Sequence, residues 1–110
     1  MALDIAIQGA RHTGQKITWH NGDGGFQNLT GATLTGVIRD EITGQIRDID
    51  GVLAPDATDG ANGVFLWSYG VGDVGVSGTF SVQFVATYPD GKDDRTFVET
   101  WIVAPSLGDV

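Results

Sequence analysis

Apolar and polar residues alternate along several short stretches of this chain, which is the pattern of half-buried β-strands. The longest such run covers residues 80–88, where every second residue is apolar or aromatic. Gly78 and Thr79 lead into this run, and Pro89-Asp90-Gly91 closes it with residues that favour tight turns. Residues 73–91 therefore predict a turn, a long half-buried strand and a hairpin.

The same pattern predicts further strands at residues 3–8, 16–20, 26–29, 32–40, 45–49, 64–69 and 95–104. In the 32–40 strand, Leu34 and Ile38 share one face, and Gly36 marks either a bulge or a close neighbour. Residues 50–63 predict a mobile loop, and residues 71–76 predict a single helical turn.

Glycine usage supports an all-β fold, because 17 glycines with only 3 prolines favour many turns between short strands. Combined with the long strand and its hairpin, this predicts an immunoglobulin-like antiparallel β-sandwich of about seven to eight strands. A length of 110 residues suits one domain. We place that domain at residues 1–104 and a flexible C-terminal tail at residues 105–110.

The last predicted strand carries apolar residues on both faces. Phe97 and Trp101 lie on one face, whereas Val98 and Ile102 lie on the other. A bulge near Glu99, or an outer face that something covers, would explain this arrangement. We expect the terminal hairpin to form a protein interface, with contacts from these two aromatic residues and from the tail, namely Phe97, Trp101, Pro105 and Leu107.

The charge and the start of the chain exclude several classes of protein. A formal net charge of -8, with basic residues scattered along the chain, argues against nucleic-acid binding. The first eight residues hold no basic segment and include Asp4, so we expect no secretion signal. No stretch approaches the roughly 20 apolar residues that cross a bilayer. The absence of cysteine excludes disulfides and thiolate metal sites.

Oxygen-rich turns raise the possibility of calcium binding, through Asn21, Asp23, Asp90, Asp93 and Asp94. Their spacing lacks the regular acids and the closing glutamate of an EF-hand, so turn formation is the better interpretation. We therefore predict no metal and no cofactor.

Catalytic and sugar-binding patterns are equally sparse. His12 and His20 are the only histidines, and both fit solvated positions better than a catalytic arrangement. We predict that the protein is not an enzyme. Trp19 and Trp67 occupy apolar positions typical of a core. For Trp101 three interpretations stay open, namely burial, a protein interface and a platform for stacking sugars.

Several short motifs resemble the immunoglobulin-like domains of tailed-phage virion proteins, in particular the N-terminal domain of the baseplate upper protein and its relatives. The motifs include Ile17-Thr18-Trp19, Leu29-Thr30-Gly31-Ala32, Gly63-Val64-Phe65-Leu66-Trp67 and residues 73–80. Phe80 stands where many members carry a tyrosine whose hydroxyl bonds to the corner backbone.

The resemblance implies a non-catalytic structural component of a phage or prophage virion, either an accessory or an adaptor subunit of the tail or baseplate. Its partners would be other virion proteins, with a homo-oligomer also possible, and it would be synthesised in the bacterial host cytoplasm. The alternative is a carbohydrate-binding or adhesion module on a phage or cell surface.

Overall fold

A computed structural model describes residues 3–10, 14–20, 25–96 and 98–105, and these residues form an all-β structure. The strands are β1 Ala6–Ile7, β2 Gly14–Thr18, β3 Thr33–Asp40, β4 Ile46–Asp48, β5 Val52–Pro55, β6 Val64–Ser68, β7 Gly78–Thr87, β8 Asp93–Arg95 and β9 Glu99–Ala104. A 3₁₀ turn, Gly60–Asn62, precedes β6. The predicted all-β class is confirmed.

The strands form two sheets in a sandwich-like arrangement. The large sheet has the order β1-β9-β7-β3-β4, and β8 pairs with β7 on the same side as β9. The small sheet has the order β2-β6-β5. Neighbouring strands are antiparallel except β1 and β9, which are parallel.

One hydrophobic cluster fills the interior between the sheets, and its members come from alternate positions of the strands. Leu34 and Ile38 share the buried face of β3, as the sequence predicts. The largest buried side chains belong to an aromatic group at the centre of this core, comprising Trp19, Phe65, Trp67, Tyr69, Phe80, Phe84 and Trp101.

Gly36 of β3 has a close neighbour, which is one of the two predicted alternatives. A Cβ at this position would lie 2.5 Å from Cδ1 of Ile49. Ile49 follows β4, and its backbone N–H donates to the carbonyl of Gly36 over 2.9 Å. The missing side chain of Gly36 thus makes room for Ile49 where the chain leaves the large sheet.

Three of the predicted elements are wrong. Residues 50–63 contain β5, which pairs with β6, so they are not a structureless loop. Residues 71–76 form turns instead of a helical turn, because the carboxylate of Asp73 accepts the backbone N–H groups of Asp50, Gly51 and Gly70. Residues 26–29 form only an isolated bridge between Phe26 and His20.

The N-terminal segment is a shorter strand than predicted, and its buried side chain is Ala6, while Ile5 and Ile7 are exposed. Two core side chains hold its backbone at Asp4. The indole N–H of Trp101 donates to the Asp4 carbonyl over 3.1 Å, and the Gln15 amide bonds both the N–H and the carbonyl of Asp4. These bonds connect the segment to both sheets.

Candidate interface on the large sheet

Trp101 is buried completely and is not available for contact with a partner. Its ring centroid lies 4.5 Å from that of Trp67 and 5.9 Å from that of Phe80. The predicted use of Trp101 as an interface contact is therefore corrected: its position in β9 alternates inward, opposite Phe80.

The other three predicted contacts have different outcomes. Phe97 and Leu107 lie outside the described residues. Pro105 follows the last residue of β9 and is exposed. Of the predicted contacts, Pro105 is thus the one that the structure describes as exposed.

A β-bulge interrupts the strand formed by β8 and β9. Arg95 lies opposite Val85, and Glu99 lies opposite Val82, so four steps along this strand match three steps along β7. Of the two explanations that the sequence left open for the last strand, the bulge near Glu99 is confirmed. Thr96 fixes its geometry, because its backbone N–H donates to the Phe84 carbonyl and its hydroxyl accepts the Phe84 N–H, each over 3.0 Å.

The side of the large sheet that faces away from the core carries an apolar surface. Val98 is 57 % exposed, Ile102 is 42 % exposed and Ile46 is 67 % exposed. Val37 and Val85 are half-buried beside them. We call this surface the outer face and define it by Val37, Ile46, Gln83, Val85, Val98 and Ile102.

Strand register brings these residues together. Val37 of β3 lies opposite Gln83 of β7, and Arg39 lies opposite both Ser81 and Ile46. Residues directly opposite each other in antiparallel strands share a face and lie about 5 Å apart. The bulge therefore adds Val98 to a surface that spans four strands.

A shallow hollow lies near the centre of the outer face. Its volume is about 130 Å³, and it is lined by Val37, Arg39, Ile46, Ser81, Gln83 and Val98. The Gln83 side chain is held in place because its amide donates to the Thr96 carbonyl over 2.9 Å. A depression with fixed walls beside two exposed aliphatic side chains suits packing against another protein surface.

Polar side chains border the hollow on one side. The guanidinium of Arg39 donates to the Glu41 carboxylate over 3.3 Å, and the hydroxyl of Ser81 donates to the same carboxylate oxygen. The Ser81 hydrogen bond lowers the pKa of Glu41, and Arg39 lowers it further. Glu41 therefore stays ionised at neutral pH, and the border of the hollow is charged.

The three carboxylates considered for calcium that the structure describes each have another partner. Asp90 accepts the backbone N–H of Lys92, Asp93 pairs with Arg95, and Asp94 accepts from the amide of Gln27. Asn21 and Asp23 lie outside the described residues. Within the described part of the chain, no group of three or more acidic, histidine or cysteine side chains is arranged to hold a metal ion.

The structure places the one described histidine at the surface and the three tryptophans in the core. His20 is exposed with its ring 4.9 Å from that of Phe26, and His12 lies outside the described residues. Trp19 and Trp67 are buried, as predicted, and so is Trp101. None of the three tryptophans can therefore stack on a sugar at the surface.

The sequence pattern put Val98 and Ile102 on the face opposite Trp101, but it did not assign them to the surface or connect them with Val37 and Ile46. The signal available for this surface was that residues 37 and 39 of one predicted strand and residue 46 of the next fall on outward positions. The pairing of β3 with β7 and β4, which sets Val37 next to Gln83 and Ile46 next to Arg39, depends on sheet topology.

The described residues contain no helix long and apolar enough to cross a membrane. A scan against protein-family models found no match for this chain, and a search of curated proteins found no significant relative.

Proposed function

We propose that this protein is a non-catalytic structural component of a phage or prophage virion, a tail or baseplate accessory or adaptor subunit. The observation that carries the proposal is the outer face. An antiparallel sheet with one solvated side ordinarily presents polar residues there, whereas this one presents Ile46 and Val98 beside a hollow and Ile102 on the same face. Apolar patches of this kind mark surfaces that other proteins cover.

Strand order supports an immunoglobulin-like sandwich as the finer description of the fold. In the variable type of that fold, strands G, F, C and C′ form one sheet, and B, E and D are neighbours in the other. Strands β9, β7, β3 and β4 follow the first order, and β2, β6 and β5 follow the second. A domain of this class acts through its surfaces, which suits an assembly role.

Local geometry at the Leu29-Thr30-Gly31 motif also agrees with the resemblance to phage virion domains. Leu29 is buried completely and anchors the corner, while Gly31 has a φ of 77°. Only glycine adopts this φ without strain, so the corner depends on that residue. At the position of the missing tyrosine hydroxyl, Phe80 instead packs its ring 5.6 Å from the guanidinium of Arg47.

Particle incorporation tests the proposal. We expect the epitope-tagged protein to co-purify with phage particles released from the bacterial host that carries the gene. Val98→Asp places a charge in the outer face and should abolish incorporation while the protein still folds, whereas Val52→Asp on the small sheet should leave it intact. Particles that contain no tagged protein, or an unchanged incorporation of Val98→Asp, would contradict the proposal.

A carbohydrate-binding module is the second candidate, and one exposed ring favours it. Phe26 is 53 % exposed on a loop and contacts the ring of His20. A ring of this kind can stack on a sugar. Glycan-array binding that Phe26→Ala abolishes would favour this function over assembly, while an array with no binding would remove it.

A further inference from the structure

We infer that the outer face binds a second copy of this chain in a two-fold symmetric dimer. The inference rests on the proposed function, because both use the same surface. It adds the identity of the partner and the symmetry of the contact. Three features carry it: the size of the face, its charge and its relief.

The large sheet offers about twice the area of the small sheet for a contact. Strands β4, β3, β7 and β9 have 3, 8, 10 and 6 residues, and β8 adds 3, so at about 3.3 Å per residue and about 4.8 Å between strands they make a face of roughly 480 Å² in projection. A standard interface buries about 800 Å² of accessible surface per partner, and side-chain relief raises a projected area toward that value. The small sheet has three strands of at most 5 residues, roughly 240 Å² in projection.

Charge favours a second copy over a strongly basic or acidic partner. The whole chain carries a formal charge of -8. On the large sheet, however, Arg39 pairs with Glu41 over 3.3 Å and Arg95 pairs with Asp93 over 3.4 Å. Asp48, opposite Val37 in the edge strand β4, adds one acid. The outer face is therefore close to neutral, and two copies can meet there without the repulsion that other surfaces would impose.

The relief of the outer face is self-complementary. The 130 Å³ hollow lies between the exposed side chains of Val98 and Ile46. In a two-fold contact, the residues of one copy face those of the other in reverse order across the axis. A protruding side chain on one side of the axis therefore faces the hollow that lies at the same distance on the other side. A two-fold axis that lies in the interface between the hollow and Val98 places Val98 of each copy over the hollow of its partner. Both hollows are then filled by the same residue.

Sedimentation equilibrium across a wide concentration range tests the stoichiometry. We expect a monomer–dimer equilibrium for the wild type, and about a tenfold or greater rise in the dissociation constant for Val98→Asp and for Ile46→Asp. The matched control is Val52→Asp, a residue of similar exposure on the small sheet, which should leave the constant unchanged. Circular dichroism establishes that each variant is folded.

Cysteine cross-linking gives a second measurement that does not depend on loss of binding. Because the chain has no cysteine, a single Val98→Cys variant reacts at one known place. A short bis-maleimide should convert it to covalent dimers, while Val52→Cys should stay monomeric under the same treatment. Covalent dimers from Val52→Cys but not from Val98→Cys would overturn the inference.

The outcomes also separate this inference from the proposed function. A monomer at every concentration, or a trimer or hexamer, overturns the two-fold dimer. If Val98→Asp nevertheless abolishes particle incorporation, the proposed assembly role survives with a different partner on the outer face. If the dimer forms but the protein is absent from particles, the inference stands and the proposed function fails.

Discussion

The carboxylate of Asp73 accepts the indole N–H of Trp67 over 3.2 Å, and both side chains are fully buried. The same carboxylate accepts the backbone N–H groups of Asp50, Gly51 and Gly70 over 2.8 to 2.9 Å. Arg47, 3.7 Å away, balances its charge. Asp73 thus connects β4 of the large sheet, through Arg47, with the β4–β5 connection and the turn after β6.

Replacement of Asp73 should destabilise the protein strongly. Asp73→Ala leaves several buried N–H donors without an acceptor and Arg47 without its counter-ion, so we expect a loss of about 3 kcal/mol or more in the free energy of unfolding. Urea denaturation measures it. Asp59→Ala, which removes an exposed carboxylate, should change stability by no more than about 0.5 kcal/mol. Equal stability of the two variants would contradict the structural role of Asp73.

Trp101 should behave as a core residue. Trp101→Ala removes a fully buried ring and its hydrogen bond to Asp4, and we expect a loss of about 3 to 5 kcal/mol in unfolding free energy. Ile102→Ala, on the next residue but facing outward, should cost less than about 1 kcal/mol in the monomer. Thermal unfolding of the two variants at low protein concentration makes the comparison. A small loss of stability in Trp101→Ala would mean that the Trp101 ring is not part of the core.

The sequence predicted those parts of the fold that depend on local alternation. Leu34, Ile38, Phe65 and Trp67 stand at every second or fourth position of their strands, and the pleat sends them all inward. The bulge near Glu99 was also predictable, because the apolar pattern changes phase there. In each case the information lies within a few residues of chain.

The parts that could not be predicted depend on contacts distant in sequence. β5 lacks alternation and is a strand because β6 lies beside it. Residues 71–76 adopt turns because Asp73 reaches donors at residues 50 and 51. The burial of Trp101 and the assembly of the outer face likewise follow from the pairing of β7 with β9 and β3, which no local pattern specifies.

Gly36 should tolerate a methyl group better when Ile49 is shortened. In Gly36→Ala the new Cβ would overlap Cδ1 of Ile49, and we expect a loss of about 1 to 3 kcal/mol in unfolding free energy. Ile49→Val removes that Cδ1 atom. The double variant should therefore be less destabilised than the sum of the two single variants, with a coupling energy of about 0.5 kcal/mol or more. A double-mutant cycle in urea measures this energy, and strict additivity would contradict the contact.

Tyr69 should make the protein less stable at high pH. Burial raises the pKa of its phenol above the usual value of 10.0, although the hydrogen bond from the Gln15 amide acts in the opposite direction. The folded protein therefore keeps the phenol proton to a higher pH than the unfolded chain does, so the free energy of unfolding falls as the pH rises above about 10. We expect urea midpoints of the wild type to decline more steeply between about pH 9 and pH 11 than those of Tyr69→Phe, which has no proton to lose there. Tyr88→Phe is the matched control and should keep the steep decline. If the urea midpoints of the wild type and Tyr69→Phe fall equally steeply with pH, this phenol does not govern the loss of stability at high pH.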